Sequence, residues 1–198
     1  MVRVRIGAGV ALPAQIRTIA AITRRFGNAQ VTTRQDIQIH DVPIEATPDI
    51  FDELLAADLT SRGGGGNTVR NVSASPRAGV DPDQAFDVRP YAIAATEYLL
   101  DFPTAYNLPR KFKLAFSGKA ADDAFASVAD VGFFAHIREG RRGFSVYAGG
   151  GLGGSPRPGI LVEEWIPVES VPLVAEAMRR DFDKHGDRSN KHAARLRC

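Results

Sequence analysis

Pro109-Arg110-Lys111-Phe112-Lys113-Leu114-Ala115-Phe116 reads as a strand. Lys111 and Lys113 flank Phe112, so a period of two puts both ammonium groups on one face and the ring on the other. A single pair of strand cations is commonly a solvated edge that discourages aggregation. Such a pair becomes a site when further cations converge on it, because arginine forks and lysine point charges together hold a polyanion. Downstream, Val131 to Arg138 and Gly143 to Ala148 read as antiparallel strands joined at Glu139-Gly140-Arg141-Arg142, and Ile160 to Ile166 as another strand. Ser170 to His185 has the spacing of an amphipathic helix, and Arg188 to Arg197 is expected to start another. Upstream, Asn67 to Pro76 is extended or turning. Asp83 to Leu100 predicts a helix that buries Ala85, Phe86, Ala92, Ile93, Thr96 and Leu99. The region as a whole predicts α+β, an antiparallel sheet with packed helices.

Thr60-Ser61-Arg62-Gly63-Gly64-Gly65-Gly66 is the sharpest break in composition and is expected to be a domain junction. Before it, Val2 to Ile6 alternates as a strand, with Arg3 and Arg5 on one face. Leu12 to Phe26 follows helical spacing with Pro13 in the first turn, and Gly27-Asn28 stops it. Gln30 to His40 returns to strand, with Thr32, Arg34 (after a kink), Gln38 and His40 on one side and Ile37 and Ile39 on the other. Thr47-Pro48 caps a helix over residues 48–58 with Phe51, Leu54 and Leu55 inward. This order predicts half of a ferredoxin-like α/β sandwich over residues 1–60, followed by the α+β domain over residues 61–198.

Composition narrows the function. The 198 residues carry 25 Lys+Arg against 23 Asp+Glu, a net charge of +2, which argues for neither a nucleic-acid coat nor a membrane surface. No run of about 18 apolar residues predicts a membrane span. Met1 to Ile6 alternates like a strand instead of forming the apolar run of a signal peptide, and the composition fits a cytoplasmic protein. The single cysteine, Cys198, excludes an internal disulfide, and excludes a thiolate zinc site or an iron–sulfur cluster held by this chain alone.

Several motifs dissolve on inspection. Gly149-Gly150-Gly151-Leu152-Gly153-Gly154 satisfies the dinucleotide fingerprint in form, but Ser155-Pro156-Arg157-Pro158-Gly159 forbids the helix that must follow it. Without side chains, this loop suits close approach of backbone to a flat ligand, or simple mobility. Gly118-Lys119-Ala120 lacks the spacing and hydroxyl of a phosphate loop. His40, His136, His185 and His192 show no metal-ligand spacing, and no nucleophile elbow is present.

Six segments, in order, resemble the siroheme-dependent nitrite and sulfite reductases. Val2-Arg3-Val4-Arg5-Ile6-Gly7-Ala8-Gly9 with Val31-Thr32-Thr33-Arg34-Gln35-Asp36-Ile37-Gln38-Ile39-His40 is similar to the family's ferredoxin-like half-domain. Thr68-Val69-Arg70-Asn71-Val72 resembles the start of its siroheme-binding domain, and Leu108-Pro109-Arg110-Lys111-Phe112-Lys113 its second signature. Gly149 to Gly153 resembles its glycine loop, and His185 to Leu196 the helical end of its first half.

The resemblance implies a two-half enzyme in which siroheme lies between the halves beside a [4Fe–4S] cluster. By position, Arg3, Arg70, Lys111 and Lys113 face the iron-bound oxyanion, sulfite or nitrite. Arg5, Thr32, Arg34, Gln38, Asn71, Gly150 and Gly151 are implied to contact siroheme. The cluster cysteines belong to a carboxy-terminal half, so this chain is expected to be an amino-terminal half, truncated or a separate subunit, and inactive alone. An electron donor such as ferredoxin is implied. Gln30 stands where the family commonly has arginine, and Ser73-Ala74-Ser75-Pro76 lacks a cysteine often found before that proline. Two other readings fit part of the pattern. One is a half of a precorrin-3B synthase-like tetrapyrrole enzyme, against which the Arg-Lys-Phe-Lys signature speaks. The other is a non-catalytic module that pairs with itself through the face a partner half would cover.

Overall fold

The computed structural model describes residues 1–153, 155–190 and 193–197. Gly154, His192 and Cys198, which figure in the sequence reading, lie outside the described residues.

The first region comprises β1 (Val2–Val4), α1 (Pro13–Phe26), β2 (Ala29–Val31), β3 (Ile37–Ile39) and α2 (Thr47–Leu55). The strands form an antiparallel sheet in the order β1-β3-β2. Val2, Val4 and Ile39 close against Ile19 and Ile22 of α1 and Ile50 and Leu54 of α2. The inward face of α2 differs from expectation. Ile50 and Leu54, four apart, are buried, whereas Phe51 and Leu55 stay exposed, so the helix is rotated by about one residue from the expected stripe.

The strand expected over Gln30 to His40 is a hairpin instead. Thr32 Oγ1 accepts the backbone N–H groups of Arg34 and Asp36, and Gln35 takes a left-handed φ of 63°. That local side-chain bonding outcompetes continuation of the ladder. Thr32 and Arg34 therefore sit at a turn, and Gln38 sits on β3.

The second region comprises β4 (Ser73–Ala74), α3 (Arg89–Leu100), β5 (Leu114–Ser117), β6 (Val131–Arg138), β7 (Arg141–Ala148), β8 (Ile160–Pro167) and α4 (Val171–His185). Its sheet runs β4-β5-β6-β7-β8. It is α+β, but mixed: β4, β5 and β6 are parallel, and only β6, β7 and β8 are antiparallel. Connection length explains the split. Glu139 and Gly140, with φ of 52° and 73°, reverse β6 into β7 in two residues. The link from β4 to β5 instead holds α3, the kind of crossover a parallel pair needs.

Other boundaries shift for local reasons. α3 starts at Arg89, not Asp83, because Pro90 is tolerated only in a first turn, and the Asp87 carboxylate accepts the Arg89 N–H there. Regular pairing along the lysine strand begins only at Leu114. Among the described residues after Gly186 there is no helix. In the core, Phe116 and Phe133 stack with centroids 4.5 Å apart, and Phe144 meets both edge-on. Burying each such ring contributes about 1.5–3 kcal/mol. No described helix is long and apolar enough to cross a membrane.

Candidate functional site

Phe112 carries the lysine pair on its backbone. The ring is fully buried and stacks on Phe182 of α4, with centroids 5.9 Å apart. Its N–H donates to the Thr68 carbonyl, and its own carbonyl accepts from the Arg70 N–H. Val69 and Phe112 thus form a single parallel bridge, and both are fully buried. Alternation sends Arg70, Lys111 and Lys113 to the opposite side. Two segments far apart in sequence are joined here into one cationic face.

The cations on that face differ in how far the protein itself occupies them. Arg3 Nη1 and Arg70 Nη1 both donate to the Gly64 carbonyl, at 2.9 and 2.7 Å, and Arg70 Nη2 donates to the Gly66 carbonyl. The tetraglycine break is therefore a clasp for two arginines. Gln38 is the cross-strand partner of Arg3, and its amide oxygen accepts from Arg3 Nε and Nη2. The ammonium groups of Lys111 and Lys113 have no hydrogen-bond or ion-pair partner among the described residues. Burial, with Arg34 and Arg195 nearby, lowers the Lys113 ammonium to about 8. Burial, Arg195, Arg70 and Arg110 also lower Lys111. Repulsion between neighbours links Arg3 to Arg70, Arg70 to Lys111, Lys111 to Lys113, and Lys113 to Arg34.

Arg5, Arg34 and Asn71 lie in the seam between the two regions. Arg5 is buried and donates to the carbonyls of Arg62 and Val69, both at 3.0 Å. The Asn71 amide nitrogen donates to the carbonyls of Ile6 and Arg34, while its buried oxygen has no partner among the described residues. Arg34 donates to the Asn71 carbonyl through Nε and Nη2, to the Leu114 carbonyl at 2.6 Å, and to Ser73. Burial lowers its guanidinium to about 10. Thr32 is half-buried, and its hydroxyl is occupied by the turn already described.

Beside Lys113 and Arg34 opens a cavity of about 220 Å³. Its other wall is apolar, from Ala124, Phe125, Val128, Ala129 and Leu152. Phe125 is 80% exposed and left-handed, with φ of 53°. The loop that presents it is nailed to Asp122, whose carboxylate accepts the N–H groups of Ala124, Ala126 and Ser127 and the Ser127 hydroxyl.

The glycine loop packs behind this wall. A Cβ at Gly150 would lie 2.5 Å from the carbonyl oxygens of Ser127 and Ala129, and one at Gly151 would strike the Arg197 guanidinium. These glycines let the protein close on itself. Gly150→Ala is expected to lower stability by about 1–3 kcal/mol in urea denaturation through overpacking; an unchanged midpoint would show the loop is looser than this packing.

Three residues of this neighbourhood escaped the sequence reading: Phe125, Asp130 and Arg195. Asp130 is fully buried and accepts from Arg195 Nη2 on both oxygens, at 2.8 and 3.0 Å, and from the Lys113 N–H at 2.9 Å. A lone acid within Val128-Ala129-Asp130-Val131 is the one signal that could have marked it.

Comparison with known proteins bears on this constellation. The family described as nitrite and sulphite reductase 4Fe-4S domain matches residues 65–198, and the nitrite/sulfite reductase ferredoxin-like half domain matches residues 1–57. The ferredoxin–nitrite reductase of Leptolyngbya laminosa is 31% identical over 99% of this chain and 40% of its own length. The assimilatory ferredoxin-dependent nitrite reductase of Haloferax mediterranei is 33% identical over 100% of this chain and 37% of its own. The chain thus spans well under half the length of these curated relatives. The NirA protein of Mycobacterium tuberculosis superposes with a TM-score of 0.90 at 30% identity, covering 98% of this chain and 36% of that one. A dissimilatory sulfite reductase I has a TM-score of 0.83 at 12% identity, over 98% of this chain and 64% of that one, which speaks for the fold alone.

Proposed function

Because the chain belongs to the nitrite and sulfite reductase family, we propose that it supplies the cationic half of a siroheme site in such a reductase. The observation that carries this reading is the unpartnered ammonium of Lys113, with Lys111 on the same face, beside a cavity that Lys113 and Arg34 line on one side and apolar residues on the other. A flat ring fringed with carboxylates needs both: apolar surface for its face and cations for its edge. Arg3 and Arg70, held by the Gly64 carbonyl, extend the positive field toward a small oxyanion such as nitrite or sulfite.

Siroheme, when bound, supplies the redox-active iron. The chain's own residues do the remaining work. Lys111 and Lys113 offset the cost of bringing a second anion to a carboxylate-rich group. The Lys113 ammonium, lowered to about 8, is poised to give up a proton near neutral pH as an oxygen leaves as water. Phe125 and its neighbours offer an apolar surface on one side of the cavity. The residues do not fit a [4Fe–4S] cluster: four thiolates commonly hold one, and the sequence has one cysteine. In this reading all four cluster cysteines come from a carboxy-terminal half or a partner subunit, and the chain alone is inactive. The names of the relatives support nitrite as the substrate and ferredoxin as the electron donor of the assembled enzyme. The domain boundary is placed at residues 60–61, before the tetraglycine clasp.

Titration of the chain with siroheme, followed by absorption, tests the reading. The parent is expected to bind, and Lys111→Ala with Lys113→Ala to weaken binding at least about tenfold, since each charge-assisted contact is worth about 1.5–3 kcal/mol. Equal binding by parent and double variant would remove the lysine face from the site.

A further inference from the structure

Asp130 joins three parts of the site through one fully buried residue. Its carboxylate accepts the Lys113 backbone N–H at 2.9 Å and takes both contacts from Arg195 Nη2. Its carbonyl accepts the N–H of Gly149, where the glycine loop begins. The adjacent Val131 N–H returns to the Lys113 carbonyl at 3.1 Å, so Lys113 is held from both sides of its backbone. Arg195 is itself buried, 8% exposed, and comes from the last described segment of the chain. A buried carboxylate facing a buried guanidinium is costly to assemble and strongly destabilising to break by halves. Its presence under a lysine strand whose ammonium groups have no partner among the described residues calls for a role beyond packing.

The charged groups around Lys113 come from every neighbouring element. They are Arg34 from the β2–β3 turn, Arg195 from the C-terminal segment, Lys111 from the same strand, and Asp130 from the turn before β6. Asp130 is the anion among them.

We propose that the Asp130–Arg195 pair is the positioning device of the lysine site: Asp130 fixes the Lys113 backbone and offsets the surrounding cations, and Arg195 holds Asp130 in place. Neither residue itself lines the cavity described above; Asp130 reaches it through the Lys113 backbone, and Arg195 through Asp130. The proposal rests on the reading of Lys113 as a site residue but needs no cofactor for its test. The pair has opposite signs, and its two members must therefore move the proton affinity of Lys113 in opposite directions. Removing the anion makes the ammonium harder to keep, and removing the guanidinium makes it easier.

The test is pH-dependent acylation of the Lys113 amine in the full chain, read peptide by peptide in a mass spectrometer, with urea denaturation to show that each variant is folded. The parent midpoint is expected near 8. Asp130→Asn should lower it and Arg195→Met raise it, each by about one unit, while Arg195→Lys keeps the charge and should stay at the parent value. General loosening of the fold would move all variants toward the free-lysine midpoint. Shifts of one sign for Asp130→Asn and Arg195→Met overturn the proposal. If Asp130→Asn does not fold, equal midpoints for Arg195→Met and Arg195→Lys overturn it. Siroheme titration of the parent is scored separately: no binding there, with opposed shifts here, rejects the cofactor reading and retains the positioning pair.

Discussion

Arg34→Ala is expected to lower the unfolding free energy by about 3 kcal/mol or more. The guanidinium donates to the Asn71 carbonyl twice and to the Leu114 carbonyl, which lie 37 and 80 residues away. Its removal leaves both carbonyls in the seam without this donor, and each unsatisfied buried group costs about 1–3 kcal/mol. Arg34→Lys should recover only part of the loss, because an ammonium cannot reproduce the planar fork that spans the two carbonyls. Urea denaturation followed by circular dichroism measures both variants. The resemblance implies that Arg34 contacts siroheme, and the stability measurement separates that role from the seam. A loss below about 1 kcal/mol would mean the backbone contacts contribute little in solution and leave the guanidinium for a ligand. A large loss would mean the residue joins the two regions first, and any weakened siroheme binding in this variant would report on the fold as well as the site.

Binding of anions to the lysine face is expected to fall as pH rises through about 8, well below the range in which an ordinary lysine loses its charge. The same shift has a consequence for stability with the opposite direction. The folded-state proton affinity of Lys113 is lower than the unfolded value, from 10.5 down to about 8. The unfolded chain therefore binds more protons between those limits, and stability contributed by this group rises with pH across that window. Below about 8 the full penalty for holding a charged, half-buried ammonium among cations is present. Lys113→Met should relieve it and raise stability at pH 7 by roughly 1–2 kcal/mol after allowance for solvent screening. The variant should also flatten the pH dependence between 8 and 10.5. Denaturation midpoints at pH 7, 8.5 and 10 for parent and variant decide the matter. A variant that is less stable at pH 7 would mean that the lysine stem packs more favourably than its charge costs. Stability given up for a neutral-pH proton donor is a common pattern at functional sites.

The parts of the site that were legible in the sequence are those governed by alternation. Lys111 and Lys113 on one face and Phe112 on the other follow from a period of two, and the buried ring and free ammonium groups agree with it. Arg3 with Gln38 was also within reach, since both lie on strands of the first sheet that pair directly. Local chemistry that competes with alternation was harder to read. The Thr32 hydroxyl turns an expected alternating strand into a hairpin, and Pro90 delays α3 by six residues of expected helix. The mixed sheet follows from the length and content of its connections, which periodicity alone does not encode.

By itself the sequence determined the α+β class, the order of the elements, the glycine break at residues 63–66 and the cationic character of the lysine strand, because each depends on residues within a few positions of one another. Only the tertiary structure decided which cations are spent. Arg5 and Arg34 satisfy carbonyls that lie dozens of residues away, Arg3 and Arg70 share one glycine carbonyl, and the ammonium groups of Lys111 and Lys113 have no partner among the described residues. The same is true of Asp130, whose partner Arg195 is 65 residues distant. A buried charge takes its meaning from the groups that surround it, and those groups are brought together by the packing of both regions rather than by neighbourhood along the chain.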